Sequence, residues 1–265
     1  MESLLGLPPV ASAHGAELDA VMVYVHWLMA VMFVLWTGLF LYMLFRFRAR
    51  KNPRADHDGF QGKAPKWIEV GVIVAELILL IGFSIPLWSD RVDDFPDERE
   101  AVRVRVVGEQ FAWNIHYPGP DGVFGPTLPE LVDLQNNPLG LDRNDPTAKD
   151  DITTVNQLHL PVDKPALIYL TSKDVIHSFM LNEFRVKQDA VPGIMTPVWF
   201  EPTVTTEEMK RITGKDAFTY EISCAQLCGL GHATMRGFVT IEEPAEFEAW
   251  LESKAPSEEA DSIWN

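Results

Sequence analysis

Basic residues are scarce in this chain, and cysteine is scarcer still. Across 265 residues, 22 Lys and Arg face 38 Asp and Glu, leaving a formal net charge of −16. Most of the excess lies beyond Asp97. Such a surface disfavours the phosphate backbone of nucleic acids and suits electrostatic steering of a basic partner. The two cysteines are Cys224 and Cys228. Their three intervening residues exclude a Cys-x-x-Cys redox motif, and no Cys-x-x-Cys-His stretch is present to attach haem. EF-hand spacing is also missing around Asp142, Asn144 and Asp145, which argues against calcium there.

Charge is absent from one long stretch and nearly absent from another. No charged residue falls between Asp19 and Arg46, and a helix of about 20 apolar residues crosses a bilayer core. His26 lies near one end of that span and reads as interfacial. A second apolar run, residues 67–89, is broken only by Glu69 and Glu76 and carries Trp67 and Trp88 near its ends, as interfacial anchors would. The connecting loop holds Arg46, Arg48, Arg50, Lys51, Arg54, Lys63 and Lys66 against Asp56 and Asp58. Positive charge stays on the cytoplasmic side, so both chain ends are expected outside. The N-terminal stretch lacks a basic n-region and is broken by Pro8 and Pro9, so it reads as a short external arm rather than a signal peptide. The expected layout is an arm over 1–18, a two-helix hairpin with its basic loop over 19–90, an external domain over 97–253 and a polar tail over 254–265.

Beyond Asp97 the hydrophobic period becomes two. Val102, Val104 and Val106 alternate with arginines, and Phe111, Trp113, Ile115 and Tyr117 alternate with smaller or polar residues. Further strand-like runs cover 157–160, 166–171, 217–224 and 237–241. Short strands between Pro-, Gly- and Asp-rich turns predict an all-β sandwich or barrel. Residues 244–253 predict a closing helix with Phe247, Trp250 and Leu251 on one face. Residues 118–154 break the strand rhythm and read as a surface insertion suited to partner contact.

The densest chemistry is Cys224-Ala-Gln-Leu-Cys228-Gly-Leu-Gly-His232-Ala-Thr-Met235. Two thiols, an imidazole and a thioether form a soft set that favours copper over hard cations. Methionine is a poor zinc ligand. A blue-copper site uses one cysteine and two histidines, which leaves a thiol over here. A disulfide between the two cysteines stays open. The second thiolate suits two copper ions bridged by two sulfurs, and His177, in the segment 175–179 that follows the apolar run 166–170, supplies another histidine.

Together these motifs resemble subunit II of the haem-copper cytochrome c oxidases. The resemblance implies a two-helix transmembrane hairpin plus a cupredoxin-like Greek-key sandwich in a bacterial cytoplasmic membrane, with the copper domain on the periplasmic side. It implies a dinuclear CuA centre held by His177, Cys224, Cys228, His232, Met235 and the backbone carbonyl of Gln226. The family usually has Glu at that last position, where its carboxylate helps hold an interfacial magnesium or manganese ion. Gln226 lacks the charge, which puts that ion in doubt. Gly108-Glu-Gln110-Phe111-Ala-Trp113 matches the family's electron-accepting aromatic motif, with Phe111 in place of the first tryptophan. Glu69 matches a glutamate at the mouth of a proton path, while Glu76 departs from the pattern and falls on the same helix face. Asp189 matches a loop near the copper that shapes docking or a subunit interface, and the insertion 118–154 resembles one in some bacterial oxidases.

The implied activity is that of a cytochrome c oxidase subunit. Electrons from a separate c-type cytochrome would pass through copper to haem in subunit I, with oxygen reduced there and protons pumped. Subunits I and III and the lipid membrane are the implied partners. A copper carrier and a copper-free quinol oxidase subunit are the alternatives. The apolar spans argue against the first and the complete ligand set against the second.

Overall fold

The computed structural model describes residues 6–54, 57 and 62–256. Residues 1–5 of the expected arm, Asp56 and Asp58 of the basic loop, and the tail from 257 onward lie outside the described residues. The chain divides into two compact units, Met1–Leu7 with Glu17–Asp93 and Pro8–Ala16 with Asp94–Asn265.

The first unit is helical. Helix α1 (Gly15–Arg46) and the helical run Ala64–Val92 each contain an 18-residue apolar stretch, of mean hydropathy 2.2 and 2.4, in which no residue is buried within the chain. An apolar surface left uncovered along such lengths is what lipid would solvate. The second run consists of α2 (Ala64–Leu79), a π turn (Leu80–Ser84) and α3 (Ile85–Val92). Pro86 has no N–H to give the carbonyl four residues back. The widening falls just before it, where the Ile85 N–H reaches the Leu80 carbonyl.

The second unit is a sandwich of two five-stranded sheets, ordered β3-β2-β1-β5-β8 and β4-β10-β9-β6-β7. The first holds β1 (Val102–Glu109), β2 (Ala112–Tyr117), β3 (Ile152–Val155), β5 (Ala166–Ser172) and β8 (Thr196–Phe200). The second holds β4 (Gln157–Pro161), β6 (His177–Leu181), β7 (Val186–Ala190), β9 (Tyr220–Cys224) and β10 (Arg236–Glu242). Between the sheets lie Val104, Val106, Trp113, Ile115, Phe179, Phe184, Phe200, Tyr220, Ile222, Val239 and Ile241, all essentially solvent-free. Each such side chain contributes about 1.5–3 kcal/mol of burial.

Several elements differ from the sequence expectation. Strand β9 begins at Tyr220 rather than 217, because α4 (Thr206–Thr213) ends on left-handed Gly214 and the Phe218 N–H closes a turn onto Lys215. Phe111 sits in the turn between β1 and β2, outside the strand it was grouped with. Asn114 and His116, on the nominally polar face of β2, are fully buried. The insertion covers His116, with Asp151 against it and the Phe124 ring 5.1 Å from the imidazole.

Residues 8–16 pack into the sandwich. The Ala11 N–H donates to the Glu183 carbonyl at 2.8 Å, the Thr203 N–H to Ala11 at 2.9 Å, and the Ser12 hydroxyl to Phe184 at 2.7 Å. At the far end α5 (Pro244–Lys254) starts on a reciprocal Glu243–Glu246 capping box. It buries Phe247 and lays Trp250 flat on His159 at 3.9 Å.

Candidate metal centre

Strand pairing brings the two ligand-bearing segments together. Strands β6 and β9 run antiparallel with Phe179 opposite Cys224, and the Ala225 N–H donates to the Ser178 carbonyl at 2.9 Å. His177 therefore opens a strand, rather than standing on a loop, beside the end of the strand that delivers Cys224. The chain then turns through 225–231 and a 3-10 turn (His232–Thr234) into β10. That turn sets Cys228, His232 and Met235 over the same point.

Cys224 Sγ lies 3.7 Å from Cys228 Sγ and 3.9 Å from His177 Nδ1. Cys228 Sγ lies 3.7 Å from His232 Nδ1 and 3.8 Å from Met235 Sδ. The Gln226 carbonyl accepts from the Cys224 thiol at 3.2 Å, while its side chain is exposed. Both cysteines are free and buried, their sulfurs far beyond the about 2.05 Å of a disulfide. Metal–thiolate bonds of about 2.3 Å and metal–imidazole bonds of about 2.0 Å put tetrahedral neighbours about 3.5–3.8 Å apart. The donor spacing matches that figure, and the donors are soft. The residues present therefore fit a copper centre.

Burial, then the neighbouring Cys224, pushes the Cys228 thiol up to about 11. The metal-free site thus holds a proton there that metal binding must expel. Burial alone would also raise the Asp174 carboxyl, but hydrogen bonds from His177, Gln110 and Val175 outweigh it and hold the group below its ordinary value.

The β1–β2 turn closes over the cysteine loop. The Gln110 side-chain amide donates to the Cys228 carbonyl at 2.6 Å. Phe111 lies against two glycines that its ring requires. A Cβ on Gly231 would sit 2.5 Å from that ring, and Gly229 has φ +131°. Phe111 is 39% exposed, whereas Trp113 is fully buried with its ring 5.9 Å from His177. Asn156 holds Trp113 at both backbone groups, at 2.8 and 2.7 Å, from a left-handed conformation that asparagine tolerates.

Asp189 is exposed on β7 opposite Ser178, one register position from His177. Glu69 lies in the first two turns of α2 and Glu76 near its end, both exposed in the isolated chain. Val175, Ile176, Leu227 and Leu230 flank the candidate ligands in sequence and are exposed, Leu227 to 78%. Asp174 was not legible as a site residue in the sequence, and Gly108 and Gln110 stood there only as members of the aromatic motif, without their contacts to His177, Asp174 and the Cys228 carbonyl. A Cβ on Gly108 would lie 2.8 Å from the His177 ring.

A family model described as cytochrome C oxidase subunit II, periplasmic domain, matches residues 102–242. The alternative cytochrome c oxidase subunit 2 of Bradyrhizobium diazoefficiens is 32% identical over 247 residues, spanning 93% of this chain and 83% of that protein. The cytochrome c oxidase subunit 2 of Cereibacter sphaeroides is 28% identical over 271 residues, spanning 94% and 82%. The crystal structure of the periplasmic domain of subunit II from Bradyrhizobium japonicum aligns at 28% identity over 58% of this chain and 92% of that one, with a TM-score of 0.39.

Proposed function

The chain belongs to the cytochrome c oxidase subunit II family, and from that premise we propose that it is the electron port of its oxidase, built around a dinuclear copper centre. As subunit II it works in a complex with other oxidase subunits. The residues that would hold it are His177, His232, Met235, the two thiols of Cys224 and Cys228, and the Gln226 carbonyl. The observation that carries this reading is the convergence of both thiols, both imidazoles and the thioether, with neighbouring donors 3.7–3.9 Å apart. When bound, such a centre would supply a one-electron relay.

The surrounding residues then have definite work. Strands β6 and β9 hold His177 and Cys224 on a rigid sheet, and the loop between β9 and β10 carries the remaining donors, as low-reorganisation electron transfer requires. Phe111, exposed beside the cysteine loop, is the aromatic contact for a c-type cytochrome, and Trp113 packs beneath His177. The exposed apolar residues flanking the ligands suit docking, and the acidic surface suits a basic donor. Asp189 shapes the same face. Subunit I, with its haem, receives the electron, and subunit III completes the assembly. Gln226 presents an amide where an interfacial magnesium or manganese ion would want a carboxylate. The basic loop between the helices orients both ends and the sandwich to the periplasmic side of a bacterial cytoplasmic membrane.

Full-length chain in detergent, loaded with copper, tests the centre. Two coppers per chain sharing one unpaired electron in the paramagnetic resonance spectrum are expected. A single-nucleus spectrum would overturn the ligand set. Glu69 is assigned to the proton path into subunit I, since a carboxylate within a span faces protein or water. Glu69→Gln is expected to slow proton uptake while leaving the copper spectrum unchanged, and unaltered turnover would remove it from that path.

A further inference from the structure

One carboxylate beside the metal ligands makes more contacts than a surface charge needs. Asp174 lies three residues before His177 in the turn between β5 and β6. Its Oδ1 is 2.9 Å from His177 Nε2 and accepts the Val175 N–H at 2.7 Å. Its Oδ2 accepts the Gln110 N–H at 2.7 Å. Gln110 in turn donates its side-chain amide to the Cys228 carbonyl. Hydrogen bonds thus run unbroken from the histidine segment to the cysteine loop by way of the β1–β2 turn.

The His177 ring is confined on its other sides. The Gly108 backbone lies against it, and Trp113 meets it edge-on. Its Nδ1 faces Cys224 Sγ, so the nitrogen facing Asp174 is the one that carries the proton when the ring binds metal.

We propose that Asp174 is a positioning residue of the copper centre, fixing the tautomer and plane of His177 and, through Gln110, locking the histidine segment to the thiolate loop. This rests on the dinuclear-copper reading above. An anionic acceptor on the far nitrogen makes the imidazole a stronger donor and favours the oxidised metal. An asparagine still accepts from Gln110 N–H but brings no charge to His177.

The test is Asp174→Asn, Asp174→Glu and Gln110→Ala in the full-length chain within the assembled oxidase. Copper affinity, midpoint potential, the paramagnetic resonance spectrum and the KM for the donor are read together. Asp174→Asn is expected to weaken copper binding about 10–100-fold and to raise the midpoint potential. Each tenfold change in redox preference corresponds to about 59 mV for a one-electron couple. Asp174→Glu is expected to restore part of the potential, because it keeps the carboxylate. Gln110→Ala is expected to speed copper loss and to move the potential less, since the backbone N–H that meets Asp174 remains.

Asp174 is 32% exposed, so a role as a docking charge makes a different forecast. If Asp174→Asn raises only the donor KM and leaves affinity, potential and spectrum unchanged, the positioning role is overturned while the dinuclear reading stands. A wild-type chain without the shared-spin signal would instead overturn the dinuclear reading, and the proposal with it.

Discussion

Cys228→Ser is expected to remove the two-copper signal and reduce oxidation of the c-type cytochrome by the assembled oxidase to background. Cys228 is the hub of the donor cluster, with Cys224, His232 and Met235 all within 3.8 Å of its sulfur. Serine offers a hard oxygen on a shorter bond, and a neutral hydroxyl does not bridge two soft ions. The loss should exceed the roughly 10–100-fold that removing an outer hydrogen-bond partner costs. Folding should survive, because β6 and β9 pair through backbone groups and the exchange is nearly isosteric. Copper analysis, the paramagnetic resonance spectrum and turnover measured on one preparation check the result. A retained shared-spin signal would show that the second thiolate is not a ligand.

The donor set was legible in the sequence because its members are rare. The cysteines, His232 and Met235 fall within one short stretch, and soft residues have few other reasons to cluster. The two helices were legible for a similar reason, since long uncharged runs have few alternatives. The supporting contacts were not legible. Asp174 and Gln110 are common residues in turns, and their meaning comes from the β1–β5 pairing that sets Gly108 beside Ser172. The strand character of His177 was hidden too, because polar Ser172-Lys173-Asp174 end the preceding strand and apolar Val175 and Ile176 fall in the turn. Phe111 fits the alternation of β2 by sequence, but the chain turns there so that its ring can lie over Gly229 and Gly231. The packing of the arm was hidden because Ala11 and Ser12 carry little pattern, although both are buried against distant segments.

Strand β2 shows the most consequential departure from simple alternation, and it leads to a large expected stability effect. His116 and Asp151 are both fully buried, with Nε2 and Oδ2 2.6 Å apart. The same carboxylate oxygen accepts the Gly125 N–H at 2.8 Å, and Arg143 donates to the Asp151 and Ala148 carbonyls. One acid thus holds the insertion over the outer face of β2. Asp151→Ala leaves the buried His116 and Gly125 N–H groups without their acceptor, an effect of about 1–3 kcal/mol for each. For a unit of this size each kcal/mol lowers Tm by roughly 2–4 °C. The copper signal at 25 °C should persist, because the proposed ligands stand on β6, β9 and the loop leading into β10.

The pH dependence follows from the imidazole. Burial first, then the neighbouring Arg105 and Arg143 charges, depress the His116 pKa against the upward pull of Asp151. The unfolded chain therefore binds a proton near pH 6.5 that the folded chain refuses. Stability contributed by this group is present above about pH 6.5 and declines as pH falls below it. Thermal melts of wild type and His116→Gln between pH 5 and 8 should diverge on the acid side, with the wild type losing more. Parallel curves would mean that His116 is already protonated in the fold, and that the insertion is held by an ion pair instead.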